Sequence, residues 1–227
     1  MLYQGLSGAI RTRCGAAAIA LLLACGCACA APENDDEARK LALTHTQSQD
    51  ADVRLAACAV LAEIGKPEDL PLLQSRLFDE DDRIRGTAEA AIWAIWSRSG
   101  DAATDREFQR GLEQMREGRL RIAVGTFAKV IAMRPEFTEA WNKRATVYFL
   151  LGEDELSLKD CDEVLKRNPQ HFGVLAGYGQ IHLRNGDLER ALDYFERALA
   201  INPNMTGVQA SIDALREILV KRGSRFI

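Results

Sequence analysis

Three histidines, His45, His171 and His182, stand in this 227-residue sequence, and histidine is the residue type most often used for acid–base work. His45 lies in a polar stretch and His171 follows Pro169 at the start of an apolar run, places where a polar residue is ordinary. The sequence contains no G-x-S-x-G, no H-E-x-x-H and no P-loop, so neither a serine nucleophile, a zinc-bound water nor a phosphate cradle is written in it. The acidic run Asp79-Glu80-Asp81-Asp82 has the charge for calcium. An EF-hand loop, however, needs an acceptor where Arg83 stands and glycine where Ile84 stands. A turn that places negative charge at a helix N-terminus accounts for the run better. These patterns exclude most enzyme classes, and no cofactor or metal is expected.

The cysteines point to a compartment rather than to chemistry. Cys14, Cys25, Cys27 and Cys29 lie in residues 1–31, where Arg11 and Arg13 precede an uncharged span with Ile19-Ala20-Leu21-Leu22-Leu23 at its centre. Small residues, Pro32 and the acidic stretch from Glu33 follow. This is the layout of a bacterial export signal. The uncharged span has about the minimum length for a helix crossing a bilayer, but it is mostly alanine, glycine and cysteine. Two processing routes are compatible with it. Ala28-Cys29-Ala30 fits an ordinary signal-peptidase site, while Leu22-Leu23-Ala24-Cys25 resembles a lipobox that would make Cys25 a lipidated N-terminus. Either route leads to a periplasmic or envelope location. Cys25-x-Cys27-x-Cys29 is too tightly spaced for an ordinary zinc knuckle. Cys58 and Cys161, the remaining pair, stand on apolar faces in different blocks and read as buried free thiols.

Without residues 1–31 the chain carries 27 basic and 33 acidic residues, a net of −6, with no basic stripe. A nucleic-acid partner or an anionic membrane surface is therefore disfavoured. Apolar residues make up 47% of the chain. Long stretches rich in alanine and leucine, with little proline, indicate an all-α fold.

The elements repeat every 34 residues. Pro135, Pro169 and Pro203 share one register; so do Gly111, Ala145 and Gly179; so do Ala123, Ser157 and Ala191; and so do Gly118, Gly152 and Gly186. The small residues of the first two sets allow helices to approach, and the midway glycines can end helices in a left-handed conformation. The prolines are placed to open each following pair. In period, closing proline and small-then-aromatic pattern (Ala145 then Tyr148; Ala191 then Phe195), residues 104–204 resemble tetratricopeptide repeats. His182 takes the place of an aromatic there and reads as a packed, hydrogen-bonded residue rather than a base. The resemblance implies three helical hairpins, at 104–137, 138–171 and 172–205. Residues 206–222, with Val208, Ile212, Leu215 and Leu219 at helical spacing, would cap them.

Ahead of them, Val53-Arg54 and Ile84-Arg85 sit 31 residues apart in two similar blocks, and 36–97 resembles short HEAT-like hairpins. Arg54 and Arg85 would then satisfy aspartates and helix ends inside the stack. Trp93 and Trp96 make their helix apolar on two faces, which predicts burial on both sides and an unbroken α-solenoid through the 97–101 joint.

The resemblance implies a groove lined by the first helix of each pair. Counting from the small residues places Phe108, Leu112 and Met115, then Asn142, Thr146 and Phe149, then Ala176, Gln180 and Leu183 on it. The set is mainly apolar and suits a peptide or helix of another protein, unless several of these residues pack within the array itself. Only Asn142 fits a clamp for a terminal carboxylate, so a chaperone-tail receptor is not expected. The resulting expectation is a non-enzymatic protein–protein interaction module of the bacterial cell envelope. Its alternatives are a lipid-anchored, pilotin-like assembly factor or an accessory subunit of an envelope enzyme. The partner's identity and pathway are not in the sequence.

Overall fold

The computed structural model describes residues 34–223, and the leader with Cys25 lies outside the described residues. Every regular element among the described residues is helical. They fall into two compact units divided between Ile95 and Trp96.

The first unit is built from α1 (Asp35–His45), α2 (Ala51–Ile64), a 3-10 turn (Pro67–Asp69), α3 (Leu70–Arg76) and α4 (Asp82–Trp96), whose last residue, Trp96, belongs to the second unit. Asn34 and Asp50 start α1 and α2 by accepting from backbone amides of the first turn. Its core is aliphatic and small: Ala57, Cys58, Leu61, Leu73, Leu77, Ile84 and Ile92 are fully buried. Arg54 is the polar pin of this unit. Its guanidinium takes both Asp79 oxygens at 2.9 Å and donates to the Ser48 and Gln49 carbonyls. Arg85 caps the other side of the same turn, donating to the Asp79 and Glu80 carbonyls. The acidic run is thus an arginine-paired turn, with Asp81 held by Arg83.

The second unit contains α5 (Ala102–Arg116), α6 (Leu120–Met133), α7 (Thr138–Leu150), α8 (Asp154–Arg167), α9 (Phe172–Arg184), α10 (Leu188–Ile201) and α11 (Thr206–Gly223). Helices α5 and α6, α7 and α8, and α9 and α10 form antiparallel pairs. Helix α7 touches both α5 and α9, so the first helices of the pairs stand in a row. Helix α11 packs on α10 and closes that end with Val208, Ile212 and Leu215.

The 34-residue spacing has a measurable cause. A β-carbon at Gly111 would lie 2.6 Å from the Phe127 ring, and one at Gly179 would lie 2.4 Å from the Phe195 ring. Each phenyl group of a second helix therefore rests directly on the backbone of its partner. At Ala145 the facing residue is the smaller Cys161, and the Ser157 hydroxyl donates to the Ala145 carbonyl at 2.8 Å. Gly118, Gly152 and Gly186 all have φ between 73° and 77°, the left-handed conformation that ends the first helix of each pair. The prolines differ from expectation. Pro135, Pro169 and Pro203 sit in turns, and α7, α9 and α11 begin three residues later. There they bend the chain between pairs rather than serve as first helical residues.

Candidate functional site

The row of α7 and α9 encloses a hollow of about 280 Å3. Asn142, Ala145, Thr146 and Phe149 of α7 form one wall, and Gly173, Ala176, Gly177 and Gln180 of α9 form the other. Ser157 and Cys161 close the floor from α8. None of the lining side chains is charged. Thr146 and Ser157 bond to carbonyls of Asn142 and Ala145, so their hydroxyl protons are already used.

Behind the wall lies a buried polar network. Glu139, one turn before Asn142 on α7, accepts from the Asn142 amide and from the Lys143 ammonium, each at 2.8 Å. Its other oxygen faces His171 Nε2 at 3.1 Å. His171 precedes α9, and its Nδ1 accepts the Val174 backbone N–H at 3.2 Å. Because an amide can only donate to Nδ1, the ring's proton must sit on Nε2 and point at the carboxylate. Trp96 stacks on the same imidazole at 4.2 Å. Burial pushes the Glu139 carboxyl upward, but the Lys143 charge and the His171 hydrogen bond outweigh it and hold it at about 2. This network fixes both the start of α9 and the orientation of Asn142.

The two cysteines among the described residues are buried and unactivated. Burial pushes the Cys161 thiol up to about 12, and Cys58 likewise to about 12, so neither is a thiolate at neutral pH. His182 stacks on Tyr194 at 5.4 Å, and Tyr194 stacks in turn on Tyr178 at 4.6 Å. Burial, followed by the Asp162 carboxylate that accepts the Tyr178 hydroxyl, raises the Tyr178 phenol. A wider recess of about 700 Å3 in the first unit is walled by Arg39, Glu68 and Asp69, whose charges are spent on one another.

The structure brings Asn142, Thr146, Phe149, Ala176 and Gln180 together on the hollow. It does not do so for the other four residues placed on the groove. Phe108 is fully buried between Phe127 and Phe137, and Leu112 and Met115 pack against that same cluster. Leu183 packs into the core shared by α10 and α11. The first pair thus turns these side chains into its own core. Gly173, Gly177 and Cys161, which line the hollow, were not read from the sequence; the Gly-x-x-x-Gly spacing at 173 and 177 was the available signal.

Two family models match the chain: HEAT repeats over residues 10–93, and the tetratricopeptide repeat over 108–171 and 155–206. A TPR repeat-containing protein of Rhizobium etli is 33% identical over 151 residues, covering 66% of this chain and 74% of that protein. FK506-binding protein-like of Mus musculus is 29% identical over 119 residues, and the match spans only 34% of its length. Among solved structures, the first TPR of Spaghetti (RPAP3) bound to the HSP90 peptide SRMEEVD aligns with a TM-score of 0.49 at 20% identity, over 52% of this chain and 93% of that one. A MamA crystal structure aligns with a TM-score of 0.47 at 16% identity, over 68% of this chain and 87% of that one.

Proposed function

Because the chain belongs to the tetratricopeptide repeat family, with HEAT repeats ahead of its tetratricopeptide array, we propose that it is a non-enzymatic protein–protein interaction module that buries a segment of its partner in the hollow between α7 and α9. The observation that carries this reading is the convergence of Asn142, Thr146, Phe149, Ala176 and Gln180 on one uncharged recess in the row of first helices. An apolar recess with a few convergent polar groups is the usual form of a docking site. So short an array supports an affinity on the order of micromolar. A photo-crosslinking residue at Thr146, inside the recess, should capture the partner in intact cells. The same residue at exposed Lys166 on α8 should not. Equal capture at both positions would remove the recess from the reading.

The same proposal places the protein in the bacterial cell envelope, on the strength of the leader-like residues 1–31. If Cys25 carries lipid, the module is an anchored assembly factor; if processing follows Ala30, it is a periplasmic adaptor. The mass of the mature N-terminus separates the two. A protein that retains Met1 in an exporting host would overturn the envelope assignment.

A further inference from the structure

The position of His171 is taken by apolar residues in the neighbouring repeats. Phe137 stands 34 residues before it and Met205 34 residues after it. Phe137 opens α7 without a side-chain cap and packs into the cluster around Phe108, and Met205 packs into the core shared by α10 and α11. Packing alone therefore does not call for a histidine at this register. The His171 side chain is nevertheless fully buried and engaged at both ends, with Nε2 on Glu139 at 3.1 Å and Nδ1 on the Val174 amide at 3.2 Å. The second of these bonds is the N-cap of α9.

A proton on Nδ1 is incompatible with that cap. The lone pair of this nitrogen accepts the Val174 N–H, and an imidazolium has only donors. On α7 the ring faces Glu139 and, through it, Lys143, which holds the same carboxylate at 2.8 Å. Trp96 lies along the ring face at 4.2 Å and does not titrate. The turn after α8 brings the Asn168 carbonyl, which accepts the His171 backbone amide. Glu139 and the indole face can hold an imidazolium as readily as an imidazole. Val174 cannot, because its amide would meet a second N–H and the cation would stand at the positive end of α9. At whatever pH the proton arrives, it breaks the cap and keeps the bond to Glu139. Glu139 itself does not titrate alongside, since its carboxyl is held at about 2 and stays ionised throughout the range in which histidines change charge.

The start of α9 is also a wall of the hollow, through Gly173, Val174, Ala176 and Gly177. Resting on the reading that the hollow is the docking site, we propose that His171 is an acid-sensitive latch on it: a second proton on the ring uncaps α9, loosens that wall and suppresses docking. Gly173 and Gly177 make this stretch responsive, because glycine leaves a helix more readily than alanine does. Glu139 stays tied to the imidazolium, so α7 keeps its place while α9 opens from its N-terminal end. The opening is local, because Phe195 still rests on Gly179 about two turns further along the helix.

The test follows the histidine rings of the isotopically labelled full chain by nitrogen NMR between about pH 8 and pH 5. His45→Gln and His182→Phe assign the other two rings. At the alkaline end the His171 ring should show the neutral tautomer protonated on Nε2. As it takes up its second proton, amide protection factors over residues 174–177 should fall roughly tenfold, the effect of one lost cap with a cation left at the helix start. Protection at the start of α7, where Phe137 stands, should not follow. A photo-crosslinking residue at Thr146, used in permeabilised cells buffered across the same range, should lose its capture in step with the ring. His171→Asn can cap but cannot titrate, so it should keep protection and capture level throughout. A ring that stays neutral at the acid end, or one that gains its proton while protection over 174–177 holds, would overturn the latch. Both of these readings come from the unsubstituted chain and need no variant to fold. Capture that falls as steeply in His171→Asn would overturn it too. No capture at any pH would overturn the docking reading, and the control of docking with it, even where exchange still follows the ring.

Discussion

A β-carbon at Gly179 would stand 2.4 Å from Phe195, whereas one at Gly177 would stand in open space, so the same substitution has opposite signs two residues apart. Gly179→Ala should destabilise the second unit by about 1–3 kcal/mol, the usual cost of overpacking. Gly177→Ala should stabilise it by about 0.5–1 kcal/mol through helix propensity and lost freedom in the unfolded chain. Urea midpoints of the two variants check this, and shifts of equal sign would contradict the geometry. Glu139 gives a second prediction at this scale. Its folded pKa, about 2, is depressed below the ordinary value of 4.5. The unfolded state therefore binds the proton first as acid is added. The stability Glu139 contributes is complete above about pH 4.5, and roughly 3 kcal/mol of it disappears as pH falls toward 2. Glu139→Gln should be less stable at pH 7, because Lys143 and His171 lose their anion. Its stability should also fall less steeply below pH 4.5 than that of the unsubstituted chain. Acid titrations of unfolding with parallel slopes would show that the carboxylate is not the group responsible.

At the scale of elements, the turns of the pairs follow directly from the sequence, because each combines a residue type with a fixed spacing. Gly118, Gly152 and Gly186 recur at 34 and all take φ near +75°. Gly152→Ala forces a side chain into that conformation and should cost about 1 kcal/mol without shifting the helix ends, as read by thermal unfolding and far-ultraviolet dichroism. Helix starts are less visible. Proline suits the first turn of a helix and the bend before it equally well, so Pro135 and Pro203 mark a neighbourhood and not a first residue. The hollow was partly legible for a related reason. Counting from Ala145 and Gly179 fixes which face of α7 and α9 looks inward, and this found Asn142, Thr146, Phe149, Ala176 and Gln180. Counting cannot tell how deep a residue sits. Phe108 has the right face by register, but Phe127 and Phe137 close over it. Gly177 was missed because a glycine inside a helix reads as a local weakness, and only neighbouring atoms reveal that the space above it is empty.

At the scale of the molecule, all-helical pairs and their order were legible because 34-residue periodicity survives substitution at any single position. What periodicity does not reveal is how stability is distributed. In the second unit each pair contacts its neighbours, so opening at one end need not propagate to the other. The cluster around Phe108 and Phe127 and the cluster around Phe195 and Ile212 share no side chain. Ile212, 2% exposed, ties α11 to Leu188, Ala191 and Phe195 of α10. Ile212→Ala leaves a cavity there and should cost about 2–4 kcal/mol locally. If the array is governed by neighbour contacts, native-state hydrogen exchange should show that loss in full for amides of α10 and α11. The decrease should shrink through α7 and α8 and be small in α5 and α6. The hollow between α7 and α9 would then lie between a firm end and one whose stability is set by α11, so a partner seated on α9 should also raise protection in α10. A uniform decrease from Ala102 to Ile201 would instead mean that the pairs open as a single cooperative block, and that the closing helix supports every pair alike.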